Sequence, residues 1–180
     1  MRLLAIDPGS THSAYVVVDT EDGVTYDKLA PIWFGKISNE ELLRMRWLKT
    51  ADRVAIEMIG HYGTGMPAGK DIFDTCVWIG RFWQVHVGAD DEYERIVGAP
   101  LKPQVDLIKR AEIKTHICGA AKAKDGNVIQ ALIDRFAPGV RNGGKGLKNA
   151  PGFFYGFHSD IWQAYALAVY VCDTKIKKAA

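Results

Sequence analysis

The stretch Leu3-Leu4-Ala5-Ile6-Asp7-Pro8-Gly9-Ser10-Thr11 decides how the rest of the chain is read. Residues 3–6 are continuously apolar and end at turn-forming residues, which predicts a buried strand. Asp7 then stands at the end of that strand, where side chains reach into a crevice. A carboxylate at the edge of a core must be ion-paired, hydrogen-bonded or metal-bound. The plain alternative is an Asp that caps its own turn.

Working outward, Ser13–Val18 is β-branched and aromatic and predicts a second strand. A third falls within Val24–Ile37, with Pro31 placing it at an edge. These three form an antiparallel meander. Ser38 and Glu41 have the spacing of a capping box, so a helix starts at Ser38, with Leu42, Leu43, Met45, Trp47 and Leu48 as its apolar face. It runs to about Thr50. Arg53-Val54-Ala55-Ile56-Glu57 then repeats the opening pattern, a short apolar strand ending in an acid. Strand, helix, strand implies a crossover and a parallel pairing with the first strand. Asp7 and Glu57 thus share one sheet edge, where open α/β sheets bind ligands.

The loop Gly60–Gly69 follows Glu57 directly. It lacks the Gly-Lys-Ser/Thr of a nucleotide-binding phosphate loop. Its Tyr62 and Met66 suit stacking on bases or wedging between them, or else fold back onto the domain. Asp71–Val87 predicts a helix apolar over much of its circumference, either central to the core or shared with a second subunit. A further strand is expected at Tyr93–Val97, and helices at Val105–Cys118 and Gly126–Phe136 with Asp125 as N-cap. Residues 138–157 hold six glycines and two prolines with Arg141, Lys145 and Lys148, which predicts a flexible basic loop. Its aromatic end, Phe153-Phe154-Tyr155, serves either a phosphate backbone or the core. The last element, His158–Cys172, is an apolar helix with Asp160 in its first turn and His158 two residues earlier.

The 180 residues are expected to form one domain, and no apolar run approaches a membrane span. Three widely spaced cysteines, Cys76, Cys118 and Cys172, fit reduced core thiols of a cytoplasmic protein. The net charge of +2 hides a split. Residues 1–101 carry 10 Lys+Arg against 15 Asp+Glu, and residues 102–180 carry 13 against 6. The basic C-terminal half suits a polyanionic partner, or is a solvated helical face.

Three stretches together carry a resemblance: Ile6-Asp7-Pro8-Gly9, Val54-Ala55-Ile56-Glu57, and the segment from Ile113 through Val128 with Gly119-Ala120-Ala121-Lys122-Ala123-Lys124-Asp125. With Asp160 followed by Ala164-Tyr165-Ala166-Leu167-Ala168, they resemble the RNase H-like nuclease fold, and within it the RuvC family of Holliday-junction resolvases. The resemblance implies an α/β domain with a mixed sheet, the meander plus parallel strands, flanked by helices. It implies a metal-dependent nuclease that cuts four-way DNA in pairs, in the host cytoplasm if phage-encoded. The long segment 138–157 is similar to phage-type relatives. One departure stands out: three residues after Asp160, where the family has a second acid, this chain has Gln163. Either Asp160 acts alone there, or His158 supplies the extra group.

Carboxylates without Cys or His spacing favour the hard cations Mg²⁺ or Mn²⁺. Two such ions about 4 Å apart serve phosphodiester hydrolysis. Asp7, Glu57 and Asp160 are the expected ligands, with Asp7 bridging and His158 as ligand or proton carrier. Lys109, Lys114, Lys122, Lys124, Lys145 and Lys148 are the expected phosphate contacts, and Tyr62 the residue that distorts the junction. A two-fold DNA substrate suits a homodimer, with the helix 71–87 as its shared surface. Three readings stay open: a nuclease of this fold acting on other branched DNA or RNA–DNA hybrids, a non-catalytic DNA-structure binder, and an actin-like phosphate module, for which one lobe is too few.

Overall fold

The computed structural model describes residues 1–20, 29–45, 50–60, 69–87 and 103–176. Strands β1 (Arg2–Asp7), β2 (His12–Asp19) and β3 (Pro31–Ser38) form the expected meander. Helix α1 (Asn39–Arg44) leads to β4 (Arg53–Met58), which pairs in parallel with β1. After α2 (Lys70–Val87) comes β5 (Gln104–Lys109), parallel to β4. Helices α3 (Arg110–Cys118), α4 (Asp125–Phe136) and α5 (Ile161–Val171) complete the chain. A two-stranded hairpin, β6 (Gly146–Leu147) and β7 (Ala150–Pro151), precedes α5, and a π-helical turn (Cys172–Ile176) follows it. The sheet order is β3-β2-β1-β4-β5, a mixed α/β sheet as expected.

Both faces of the sheet are covered, which explains why β1 and β4 read as continuous apolar runs. Leu3, Ala5, Ala14, Val16 and Ala55 pack under α5, with α3 and α4 beside it. Leu4, Ile6, Tyr15, Val17, Val54 and Ile56 pack under α1 and α2. Ser38 caps α1 by accepting from the Glu41 N–H, as its spacing predicts, but the helix stops at Arg44 with Met45 in extended backbone. Helix α5 is buried on nearly every side, and Tyr165 donates to the Leu29 carbonyl at 2.7 Å.

Two expectations are corrected. Residues 104–109 are a strand, so the predicted helix Val105–Cys118 begins only at Arg110. Six residues of mixed apolar spacing fit either period, and pairing with β4 settles it. Residues 138–157 are not a floppy basic loop. Gly152 N–H donates to the Lys145 carbonyl at 2.8 Å, and Phe154 N–H to the Gly144 carbonyl at 3.0 Å. Phe154 and Phe157 are buried against Trp162 and Tyr165. The glycines here allow close approach: a Cβ on Gly152 would lie 2.4 Å from the Gly144 carbonyl oxygen.

Smaller differences also appear. Asp125 is the first residue of α4 and Lys124 its N-cap. Of the three free cysteines only Cys172 is buried, and Cys76 is exposed. The expected strand at Tyr93–Val97, and Tyr62 and Met66, lie outside the described residues. No helix among the described residues is long and apolar enough to cross a membrane.

Candidate metal and nucleic-acid site

Asp7 ends β1, and Ala5 and Ile6 just before it lie beside Ala55 and Ile56 of β4. One residue further along both strands, Asp7 and Glu57 are neighbours at the carboxyl edge of the sheet. Alternation puts both on the face covered by α5, since Ala5 and Ala55 lie in that core. They line a cavity of about 270 Å³ with Pro8, Ile59, Ile72, Thr75 and Arg110.

The turn that holds Asp7 is fixed by a buried polar triangle. Ser13 Oγ donates to Asn39 Oδ1 at 2.6 Å, Asn39 Nδ2 donates to the Gly9 carbonyl at 2.9 Å, and the Gly9 N–H donates to Ser13 Oγ at 3.3 Å. Gly9 has no substitute there, because a Cβ would sit 2.4 Å from the His12 carbonyl oxygen. This explains Asp-Pro-Gly as geometry: the turn closes only with glycine, and two buried side chains from β2 and α1 hold it.

Asp160 precedes α5 on the same face. It makes no side-chain capping bond. Instead it accepts from Lys36 Nζ of β3 at 2.5 Å. Ser159, just before it, has φ of 43°, a left-handed conformation that fixes how Asp160 leaves the chain. Glu57 accepts from Arg110 Nη1 at 2.7 Å. Arg110 also bonds Asp125 at 3.0 Å, and Lys114 reaches the other oxygen of Asp125 at 3.0 Å.

These charges are mutually felt. Burial lifts the Asp7 carboxyl well above the ordinary carboxylate range. The charges of Glu57 and Asp160 push the same way, while Arg110 and Lys36 oppose them. Burial raises Glu57 too, against the pull of Arg110. Asp125 shows the reverse: hydrogen bonds from Lys114 and Arg110 outweigh burial and hold it below its usual value.

Asp7 and Glu57 fit a hard divalent ion. They are adjacent, oxygen-donating, half-buried or more, and each is made costly to ionise by its surroundings, a cost a cation relieves. Asp160 is near enough to act on Asp7 electrostatically, but its partner is Lys36. Among the described residues, no three acidic, His or Cys side chains close into one ligand cluster. Of the three acids expected as ligands, Asp7 and Glu57 stand side by side at the sheet edge, and Asp160 is paired with Lys36.

The other predicted residues divide. Lys109, Lys114 and Lys122 line a second cavity of about 580 Å³, with Arg110 as the wall it shares with the first. Lys124 is exposed at the start of α4. Lys145 and Lys148 follow Gly143, which lies beside Ile133 of α4, eight residues from Asp125 and so roughly 12 Å along the helix. His158 is exposed, and no side-chain hydrogen bond ties it to Asp7, Glu57 or Asp160. Sequence reasoning missed Lys36 and Arg110. Lys36 stands opposite Ala14, which stands opposite Asp7, a register that comes from the pairing of the strands and not from the pattern of residues. Arg110 was hidden inside the over-long predicted helix.

No protein-family model matches the chain, and no curated protein matches it. Among solved structures the chain is similar to RuvC of Thermus thermophilus, with a TM-score of 0.60 and 18% identity over 99% of this chain and 97% of that one. RuvC of T. thermophilus in complex with its Holliday junction substrate gives 0.58 and 16%, over 94% and 92%. The fowlpox virus resolvase, solved with substrate Holliday junction DNA, gives only 0.43 and 10%, over 97% and 98%. The two RuvC likenesses show the fold: a mixed five-stranded sheet between helices, as in RuvC.

Proposed function

We propose that this chain is a divalent-metal-dependent endonuclease that resolves four-way DNA junctions. The observation that carries the reading is the pair Asp7 and Glu57 at the ends of adjacent parallel strands, with Asp160 opening a helix over the same face. That pair sits in a fold shared with RuvC, which has been solved on a Holliday junction.

Asp7 and Glu57 would hold Mg²⁺ or Mn²⁺, and the bound ion would supply charge neutralisation at a phosphate and activation of water. Arg110 orients Glu57 by holding one of its oxygens, leaving the other free. The Ser13–Asn39–Gly9 triangle fixes the Asp7 turn, so the two carboxylates meet an incoming phosphate without rearranging. Lys109, Lys114, Lys122 and Lys124 form the proposed track for the DNA backbone beside this site. They set affinity and its salt dependence, not sequence choice. Tyr62, Lys145, Lys148 and His158 remain candidates for contacts with junction arms or for proton transfer.

Paired cuts call for two sites, and a homodimer is part of the proposal. Helix α2 supports it. Its buried side carries Trp78, Ile79 and Phe82, while Phe73, Val77 and Trp83 are exposed on the other. A substrate panel tests the function: purified protein with Mg²⁺ should cut a synthetic four-way junction and leave linear duplex intact. Equal cutting of forks, flaps or hybrids would reassign the substrate. Gln163 in place of an acid favours a second reading, a junction binder that does not cut. Tight junction binding without cleavage under Mg²⁺ or Mn²⁺ would select it.

A further inference from the structure

The row of residues that carries Asp7 continues across the meander. Asp7 on β1 lies opposite Ala14 on β2, and Ala14 lies opposite Lys36 on β3. Residues opposite one another in register point to the same face. All three therefore face α5, with only the Ala14 methyl group between the outer two. Lys36 uses that open span to reach Asp160, which is 124 residues away in sequence.

The charges on the two sides of Asp7 differ. On the β4 side, three acids, Asp7, Glu57 and Asp125, meet two cations: Arg110 bonds Glu57 and Asp125, and Lys114 pairs with Asp125. A deficit of positive charge remains there, in a cavity large enough for an ion and its waters. On the β3 side, one carboxylate meets one ammonium. Gln163, three residues after Asp160 and buried, adds no charge. Nothing on that side asks for a further cation.

We propose that the centre takes one divalent ion, between Asp7 and Glu57, and that the Lys36 ammonium supplies on the Asp160 side the positive charge a second ion would bring. This replaces the two-ion expectation and rests on the reading of Asp7 and Glu57 as metal ligands. Lys36 acts by charge alone, so no proton leaves it. The pair with Asp160 is half exposed, with side-chain accessibilities of 33% and 49%, so it contributes little to stability and substitution leaves the fold intact.

The test counts Mn²⁺ bound per chain by electron paramagnetic resonance, on the full chain without DNA, with a thermal melt of each variant. The wild type should bind one Mn²⁺, and Asp7→Asn should lose it. Lys36→Ala should bind two, because Asp160 is released, and Lys36→Arg should still bind one. Junction cleavage by Lys36→Ala should fall about 10²-fold at low Mn²⁺ and recover at high Mn²⁺. Lys36→Gln stands in if the alanine variant melts early. Two ions in the wild type, none into the millimolar range, or a count of one in both Lys36→Ala and Lys36→Gln would overturn the inference. The nuclease reading fails separately: a chain with the expected ion counts that cuts no DNA refutes that reading only. A two-ion chain that cuts junctions symmetrically refutes this inference only.

Discussion

At the scale of the residue, Asp7 concentrates the tension in the molecule. Burial and two neighbouring carboxylates disfavour its ionised form. The folded chain therefore binds more protons than the unfolded chain above the ordinary Asp range, and stability falls as pH rises through the raised folded value. Asp7→Asn removes that penalty. In chelator at neutral pH the variant should melt higher, by about 2–4 °C for each ~1 kcal/mol gained, while losing cleavage and keeping junction binding. A melt unchanged or lowered would mean that the carboxylate is not under this strain. Asp7, Glu57 and Asp160 were legible in the sequence because each is an acid set against an apolar run. Lys36 and Arg110 were not, because a cation gains its meaning from a partner far away in sequence, Asp160 for one and Glu57 for the other.

Among the elements, those with a long, consistent period were legible: β1, β2, β4 and α2 lie where the pattern put them, and α5 differs only in starting at Ile161, so that Asp160 precedes the helix and does not stand in its first turn. Those built by tertiary context were not. Among the described residues β5 is an edge strand, with Leu107 exposed, so its alternation is weak. The glycines of 138–157 signalled flexibility, yet they allow backbone to approach backbone, and the aromatics between them plug the core. The π-helical turn after α5 has its own anchor. Asp173 takes two hydrogen bonds from Arg135 of α4, at 2.6 and 2.9 Å, and one contact with His116 of α3 at 2.8 Å. Burial opposes ionisation there, but these partners prevail and hold Asp173 below its usual value. A depressed folded value means that the stabilisation is present above the unfolded Asp value and is lost as pH falls through the folded one. Asp173→Asn should therefore lower the melting temperature at pH 7 and shrink its loss on acidification below pH 4. An unchanged acid limb would assign that limb to other carboxylates.

For the whole molecule, the two apolar sides of α2 have different consequences. One is the core under β1 and β4. The other, with Phe73 and Val77 about 60% exposed, is what a two-fold partner would cover. Val77→Glu should leave the monomer folded, since the side chain meets solvent, and shift sedimentation from dimer to monomer. It should also turn paired cuts into single nicks. A wild type that sediments as a monomer with and without four-way DNA would rule out the dimer.

On the proposed reading, Asp7 and Glu57, brought together by parallel pairing of two acid-ended strands, are the heart of a junction-cutting centre. The decisive experiment maps cleavage of a synthetic four-way junction by the purified chain in Mg²⁺, beside Asp7→Asn. The wild type should place nicks symmetrically in two opposing strands, and the variant should place none. Metal-dependent nicking that persists in Asp7→Asn would contradict that reading.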